Sequence, residues 1–244
     1  MKLKSVIILL KCISFGSLAI FATQLSTGCQ QPIENIGSKK HAEESLLNTK
    51  EIFFDLQNID ISMEKSEDGK LRIEENIDRN QATYQNRQQG DSIFVVSKGV
   101  QSHTTNPGSI KAYIPDGYNI YLDGMSGSVR IFGLSTKIIR IELMSGDIRI
   151  KNLATRSGIF KTMSGNIYFN SHITTGTIKL EAMSGDLEAI LDHNSDAKIE
   201  MKSEKSAAIL NGRNLENGKI STIINNGQAH ISGNTLSGTV DCQF

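Results

Sequence analysis

A seven-residue unit that begins Met-Ser-Gly occurs four times in the second half of the chain. The copies begin at Met125, Met144, Met163 and Met183, so successive copies lie 19, 19 and 20 residues apart. A unit this short cannot bury its own apolar residues, and the copies must therefore stack on one another. The repeat predicts a solenoid in which equivalent residues form columns along a common axis.

Each repeat contains two short stretches in which apolar and polar residues alternate, as in half-buried strands. Before the Ser-Gly pair, Ile139, Ile141 and Leu143 form the inward set, and after it the phase changes to Ile148 and Ile150. Glycine accepts the positive φ that such a change requires. The sequence therefore predicts an all-β chain, a single-stranded β-solenoid whose strands stack about 4.8 Å apart.

Two diverged copies extend the series, with Ser203 and then residues 226–227 at the Ser-Gly position. With them the repeat region has six coils, and the whole solenoid is predicted to have about six to seven. Near the C-terminus, residues 238–242 match residues 176–180. This match places Cys242 in an inward column, where it is expected to be a small buried hydrophobic residue.

Counting by twos from the buried positions gives a prediction for the corner between the two strands of each repeat. The serines after the methionines fall in phase with the buried residues and are expected to form a hydrogen-bonded ladder. These serines are Ser126, Ser145, Ser164 and Ser184. The four methionines fall in phase with Glu and Lys, so they are predicted to form an outward stripe that suits adaptable contacts, a candidate binding edge. The alternative is that N-terminal strands or a long loop cover this stripe.

Residues 1–28 have the layout of a signal peptide, with early lysines, an apolar stretch and small residues before Cys29. Residues 26–29 resemble the lipobox of bacterial lipoproteins, in which the cysteine thiol is joined to diacylglycerol. The alternative is ordinary cleavage with no lipid. We expect an exported chain that is held at a membrane by lipidated Cys29. Gln30 stands where an inner-membrane retention signal often has Asp, which favours the outer membrane if the cell has two.

Three further segments follow the predicted signal peptide. Residues 29–50 have no sustained apolar period and are predicted to be a flexible tether. Residues 51–118 contain less regular alternating stretches separated by turn signals. These strands are expected to cap the solenoid of residues 119–244, because an open end would leave backbone groups unpaired.

Charge argues against nucleic acid as a partner. Removing residues 1–28 takes away Lys2, Lys4 and Lys11, which leaves 23 basic and 26 acidic residues. After residue 40 the sequence has no run of Lys or Arg that could form the basic stripe needed to displace phosphate counterions.

Three residues that follow the Ser-Gly pairs, Asp147, Asn166 and Asp186, fall in one predicted column. Carboxylates two coils apart would be about 10 Å from each other, slightly beyond the separation in inverting glycosidases. Asp and Asn are also what tight turns prefer, and a turn ladder is the interpretation that we favour. Acidic residues this sparse do not suit Ca²⁺, and the histidines show no metal-ligand spacing. We expect no metal, no cofactor and no enzyme activity.

The order of these features resembles the bacterial putative-adhesin family of envelope proteins, a domain of unknown function. The resemblance is carried by residues 110–115, residues 118–122 and the recurring Ser-Gly-Asp-Ile units, and it covers about residues 50–244. It implies a right-handed solenoid on the cell envelope, with adhesion or envelope-stress roles and no shared catalytic site. The fifth copy departs from the pattern, with Glu204-Lys205 in place of Gly-Asp.

Three functions remain open on this basis. The first is a binding module or adhesin that contacts a glycan, another envelope protein or a host surface. The second is an envelope-stress sensor or scaffold. The third is a weak polysaccharide-active enzyme that uses Asp147 or Asp186.

Overall fold

The computed structural model describes residues 40–43, 51–99 and 107–244, and every regular element in these ranges is a β-strand. The predicted all-β class is therefore confirmed. No helix in the described ranges is long and apolar enough to span a membrane.

The strands are numbered in chain order. The first nine are β1 (Lys40–Glu43), β2 (Glu51–Leu56), β3 (Asp60–Lys65), β4 (Arg72–Ile77), β5 (Ala82–Gln89), β6 (Ser92–Gly99), β7 (Gly108–Ile114), β8 (Asn119–Gly124) and β9 (Val129–Phe132). The next six are β10 (Ser135–Ser145), β11 (Ile148–Lys151), β12 (Ala154–Ser164), β13 (Ile167–Ser171), β14 (Thr177–Ser184) and β15 (Leu187–Leu191). The last six are β16 (Ala197–Ser203), β17 (Ala208–Leu210), β18 (Arg213–Leu215), β19 (Lys219–Ile224), β20 (Ala229–Ser237) and β21 (Val240–Gln243).

These strands form two sheets around one apolar core. Sheet A has the order β1-β4-β7-β3-β9-β11-β13-β15-β21-β17-β18, and sheet B has the order β19-β16-β20-β14-β12-β10-β8-β2-β6-β5. Neighbouring strands are parallel except at the outer edges, where β1, β4, β5, β18 and β19 pair in antiparallel fashion. We call two consecutive strands at the same height, such as β10 in sheet B and β11 in sheet A, a layer.

The inward residues of successive layers stack in register, as the repeat predicts. Ile141 of β10 pairs with Leu122 of β8 on one side and with Phe160 of β12 on the other. In sheet A, Ile148 pairs with Val129, and all of these side chains are buried. Burying one such side chain contributes about 1.5–3 kcal/mol, so these columns are the main source of stability.

The stacking order differs from the chain order at both ends. The described residues form eight layers, in the order β6/β7, β2/β3, β8/β9, β10/β11, β12/β13, β14/β15, β20/β21 and β16/β17. Residues 51–118 thus supply two complete layers in addition to the edge strands β4 and β5. At the other end, the final layer of the chain, β20/β21, lies between β14/β15 and β16/β17, although β16/β17 precedes it in the chain.

This insertion corrects two predictions about the diverged repeats. Ser203 pairs with Thr235 and therefore lies two positions away from the Ser-Gly column, which Ser237 continues by pairing with Ser184. Residues 226–227 lie between β19 and β20, outside that column. The physical reason is that β19 returns antiparallel along β16, so the layer that follows it enters the stack on the other side of β16.

The match proposed for the C-terminal residues is also wrong in register, although its conclusion for Cys242 holds. Val240 pairs with Leu187 and Cys242 pairs with Ala189, so residues 238–242 are equivalent to 185–189 and not to 176–180. Cys242 faces inward and is fully buried, as predicted. Burial raises the pKa of its thiol to about 12.

Adjacent layers approach each other most closely at the glycine of each corner. A Cβ added to Gly165 would lie 2.2 Å from the carbonyl oxygen of Gly146, and one added to Gly146 would lie 2.1 Å from that of Gly127. Gly165 also has a φ of 147°. Any side chain at these positions would push the layers apart, which explains why the glycine recurs in each copy of the repeat.

Candidate binding surfaces

The residue after each Ser-Gly pair links one layer to the next through its side chain. The Asp147 Oδ1 atom accepts a hydrogen bond from the backbone N–H of Asn166 at 3.0 Å, and Asn166 Oδ1 accepts one from that of Asp186 at 2.8 Å. Asp186 Oδ1 in turn accepts from the N–H of Thr239 at 2.7 Å. These three side chains therefore connect successive layers, and one oxygen of each carboxylate accepts a hydrogen bond from a backbone N–H.

The four serines of the Met-Ser-Gly units do not face the core, which corrects the parity prediction. Ser145, Ser164 and Ser184 are exposed, and Ser126 is partly exposed. Strict alternation ends at the last buried residue of each strand, so the methionine and the serine both project outward at the corner. Ser164 and Ser184 link layers through their backbone: the Ser164 carbonyl accepts a hydrogen bond from the Gly146 N–H at 2.8 Å, and the Ser184 carbonyl accepts one from the Gly165 N–H at 3.0 Å. The Ser126 hydroxyl donates a hydrogen bond to Asn58 Oδ1 at 2.5 Å.

The methionine stripe faces outward, as predicted. Met125, Met144, Met163 and Met183 are 46%, 46%, 50% and 52% exposed. The pairing of Ser184 with Ser237 extends this column by one layer to Leu236, which is 43% exposed. These five apolar side chains, which we call the methionine edge, cover four strand spacings, about 19 Å.

Polar residues bound the methionine edge at both ends. Gln57 stands in the column before Met125, because Leu56 pairs with Gly124. At the other end, Glu204 follows Leu236 in the column, and its N–H donates to the Thr235 carbonyl. The apolar strip is therefore limited to five layers.

A ladder of ion pairs runs beside the methionine edge on the outer face of sheet B. Lys161 lies between two carboxylates, 3.8 Å from Glu142 and 3.0 Å from Glu181. Arg140 also pairs with Glu142 at 2.7 Å. Charges of opposite sign thus alternate over the three layers of Glu142, Lys161 and Glu181. Beyond Glu142 the column continues with Asp123 and Asp55, which have the same sign. Burial and the neighbouring Glu142 carboxylate raise the pKa of Asp123.

The outer face of sheet A carries a shallow groove of about 440 Å³, lined by residues from β3 to β15. Arg130 of β9 and Arg149 of β11 are register partners there, so two positive charges stand side by side. Lys151 projects from the same face two residues later, opposite Phe132, which is 52% exposed. With Tyr168 of β13, these residues form what we call the basic groove.

Arg149 is held in place from two sides. Its Nη2 atom lies 3.0 Å from Asp147 Oδ2, and its guanidinium carbon lies 4.4 Å from the centre of the Tyr168 ring. Asp147 therefore positions Arg149 with one oxygen while its other oxygen links two layers. Over the described ranges, the side chains of Arg130 and Lys151 form no ion pair or hydrogen bond.

The basic groove was not anticipated from the sequence, although one signal was available. Arg130 and Arg149 occupy the same position of two successive repeats, five residues after the methionine. Once the repeats are stacked, this equivalence brings two like charges into register. An aromatic column on sheet B, where Phe53 stacks against Phe94 and Tyr121 with ring centres 5.1 and 4.9 Å away, lies outside the repeats and has no such signal.

Asp192 lies in the turn between β15 and β16. Asp192 accepts a hydrogen bond from the N–H of Asn194 at 2.8 Å, which is the main reason why its pKa is lowered. Within the residues that the structure describes, no three His, Cys, Asp or Glu side chains are placed to hold a metal ion. Cys29 lies outside the described residues.

A family model described as Toastrack DUF4097 matches residues 95–243, which is more than half of the chain. The chain belongs to the Toastrack DUF4097 family. The Toastrack match begins within β6 and includes every later strand, so it covers both the methionine edge and the basic groove. The layer formed by β2 and β3 precedes the match in the chain but lies inside the stack.

Solved structures similar to this Toastrack chain include two bacterial proteins. One is a putative cell adhesion protein from Clostridium sporogenes, with 8% identity, a TM-score of 0.49, and coverage of 84% of this chain and 99% of that one. The other is a putative adhesin from Bacteroides fragilis, with 12% identity, a TM-score of 0.48, and coverage of 86% and 100%. These values are too low to transfer a function. No curated protein matches the chain.

Proposed function

We propose that the chain is a non-enzymatic adhesin, an envelope-anchored binding module that contacts a protein partner through the methionine edge. The observation that carries the proposal is the exposure of five aligned apolar side chains at one corner of the stack. Aligned apolar side chains left in water are a common feature of interaction sites.

The surroundings of the methionine edge suit a protein partner. Methionine is flexible and polarizable, so a row of methionines adapts to surfaces of different shape. The ion-pair ladder of Glu142, Lys161 and Glu181 forms a polar border whose charges already have partners. A partner that covers the edge beside these three residues therefore leaves none of their charges unpaired, and the arrangement is that of an apolar interface centre with a polar rim.

The methionines are available for contact because the core does not need them. The inward columns bury large side chains such as Phe160 and Ile141, and these columns hold the layers together. Truncating an edge methionine therefore removes contact surface and leaves the core packing intact.

The test uses vesicles that carry the full chain, passed over immobilised purified envelope and host-surface proteins and over glycans. We expect retention on at least one protein surface, and at least tenfold weaker retention for the Met144→Ser/Met163→Ser double variant. The Met144→Leu/Met163→Leu variant keeps the apolar surface and should bind normally. The control Ile138→Ser/Ile223→Ser removes two apolar residues that are 39% and 59% exposed elsewhere, and it should have no effect. Undiminished retention of the methionine-to-serine variant would contradict the proposal.

The proposal includes export and a lipid anchor at Cys29, with the outer membrane as the location in a cell with two membranes. It also includes right-handed winding of the stacked layers, which the resemblance to envelope adhesins implies. Labelled palmitate is expected to enter the wild-type chain and not the Cys29→Ala variant. Incorporation that persists in this variant would rule out the anchor.

The enzyme alternative has less support. Asp147 and Asp186 lie two layers apart, about 10 Å by strand spacing. Each carboxylate accepts a hydrogen bond from a backbone N–H. If the chain did cleave a polysaccharide through these residues, Asp147→Asn and Asp186→Asn would abolish turnover.

A further inference from the structure

We propose that the basic groove of sheet A binds an acidic sugar, with the sugar carboxylate held by Arg130, Arg149 and Lys151. This site is separate from the methionine edge and does not depend on it. Four features of the groove carry the inference: its charge pattern, its preorganised arginine, its open aromatic ring and its acidic ends.

The adjacent like charges of the groove are positive, whereas those of the opposite sheet are negative. On sheet B, Asp123 is the register partner of both Asp55 and Glu142, so the like charges there are negative. Farther along that column, Lys161 stands between two glutamates. On sheet A, Arg130 and Arg149 are direct register partners. Like charges at paired positions destabilise a sheet, and a bound anion would reverse that effect. The paired arginines therefore favour the binding of an anion at this site.

The cations are arranged to recognise a carboxylate. A guanidinium group presents its N–H donors in a fixed fork that matches the two oxygens of a carboxylate. Asp147 and the Tyr168 ring already fix Arg149, so little side-chain freedom is lost when a ligand binds. Among the described residues, Arg130 and Lys151 have no competing partner.

The groove also offers an apolar surface beside its cations. Phe132 is 52% exposed and lies opposite Lys151 on the neighbouring strand. The apolar face of a sugar ring can pack on this phenyl ring while its carboxylate reaches the arginines. The groove volume of about 440 Å³ lies within the range of small-ligand sites, and apolar walls with a few placed polar groups are typical of them.

Acidic residues limit the length of the ligand. Glu64 lines the groove on the β3 side, where it pairs with Lys111 at 3.1 Å, and Glu188 lines it on the β15 side. The cations lie on β9 and β11, and the uncharged residues Tyr168 and Asn170 of β13 follow them. The stretch between the two glutamates therefore covers β9 to β13, two strand spacings or about 10 Å. This length fits one or two sugars, whereas a long polyanion such as a nucleic acid would meet a glutamate at each end.

The experiment is a calorimetric titration of the purified full chain in detergent with digalacturonate, with galactobiose as the uncharged counterpart and a DNA hexanucleotide as the phosphate polymer. We expect digalacturonate to bind at least tenfold more tightly than either of the others. Arg130→Gln and Arg149→Gln should each weaken its binding tenfold or more. Arg156→Gln, which removes an exposed arginine from β12 of sheet B, is the matched control and should have no effect.

Three results would overturn the proposal. They are equal binding of digalacturonate and galactobiose, tighter binding of the hexanucleotide, and equal losses for Arg156→Gln and Arg149→Gln. Misfolding is detected separately, because Arg130→Gln relieves repulsion and should unfold at the same or a higher temperature than wild type. The groove variants should also keep the adhesion that the methionine edge provides, so the two proposals can fail independently.

Discussion

The middle of the stack and its two ends follow different rules. In the four layers from β8 to β15, the order along the chain is the order in space. At the N-terminal end, the chain forms β2/β3, then the edge strands β4 and β5, and then the layer β6/β7 between these edge strands and β2/β3. At the C-terminal end, it forms β16/β17 and the edge strands β18 and β19, and then places β20/β21 between β16/β17 and β14/β15. Repetition therefore controls the middle, where every layer has the same neighbours, while the protection of exposed strand edges shapes the ends.

Removing the last layer of the chain should have the largest effect. A stop after Gln228 deletes β20 and β21, which join β14 and β15 to β16 and β17 in both sheets. We expect β16 to lose its parallel partner and its amide protection, with a large fall in the unfolding temperature. Hydrogen exchange of residues 197–203 measures this loss. If the stacking followed the chain order, the same deletion would remove an outer layer, and β16 would stay protected.

A methyl group at a central corner should have the next largest effect. In Gly165→Ala the new Cβ would lie 2.2 Å from a carbonyl oxygen of the adjacent layer, and the residue would also have to keep a positive φ. We expect a loss of about 3–5 kcal/mol of unfolding free energy, from forced separation and backbone strain together. Urea denaturation measures it.

Gly69→Ala is the matched control for this substitution at the end of the stack. Gly69 has a φ of 71°, but a Cβ added there would have no neighbouring atom within 4 Å. The loss should be about 1–2 kcal/mol, from the backbone conformation alone. Equal losses at the two glycines would show that the layers do not meet at the corner.

Alkylation of the buried Cys242 thiol tests the position of the inserted layer and needs no substitution. Burial raises its pKa to about 12, so the thiol stays protonated at mildly alkaline pH, and it is the thiolate that reacts. We expect alkylation at pH ~8.5 to proceed only as fast as the stack opens, and to become rapid in denaturant. Mass spectrometry of Cys242 follows the reaction, and rapid labelling of the native chain would contradict the inward position.

The smallest effect is expected from the surface ion pairs. Lys161→Gln removes two contacts in the middle, and Lys198→Gln removes the pair of Lys198 with Glu200 near the end. Both lysines are partly exposed, so each substitution should cost less than about 1 kcal/mol, and salt should reduce the difference. A much larger loss at Lys161 would mean that the charge ladder, and not the core, holds the central layers together.

The same contrast explains how much the sequence could predict. The Met-Ser-Gly repeat was sufficient for the class, the strand columns and the outward methionines, because in-register stacking places identical residues in identical surroundings. It could not place Ser203 or residues 226–227, whose positions depend on the return of β19 along β16. It also misplaced the serines, because alternation of inward and outward residues stops before the corner.

The two surfaces differ in the same way. The methionine edge could be found from the sequence because it consists of one residue repeated at one position. The basic groove combines Arg130, Arg149 and Lys151 with an aromatic ring from a neighbouring strand. Its members do not stand out along the chain, and only the pairing of β9 with β11 brings them together.

Disulfide trapping tests the order of the layers most directly. With Cys12, Cys29 and Cys242 replaced by alanine, Ser184→Cys/Ser237→Cys joins two register partners. Ser184→Cys/Ser203→Cys instead joins positions that would be adjacent only if β16 stacked directly on β14. Mild oxidation should close the first pair and leave the second as free thiols, seen as a mobility shift on a non-reducing gel. Closure of the second pair and not the first would contradict the inserted layer and the extension of the methionine edge to Leu236.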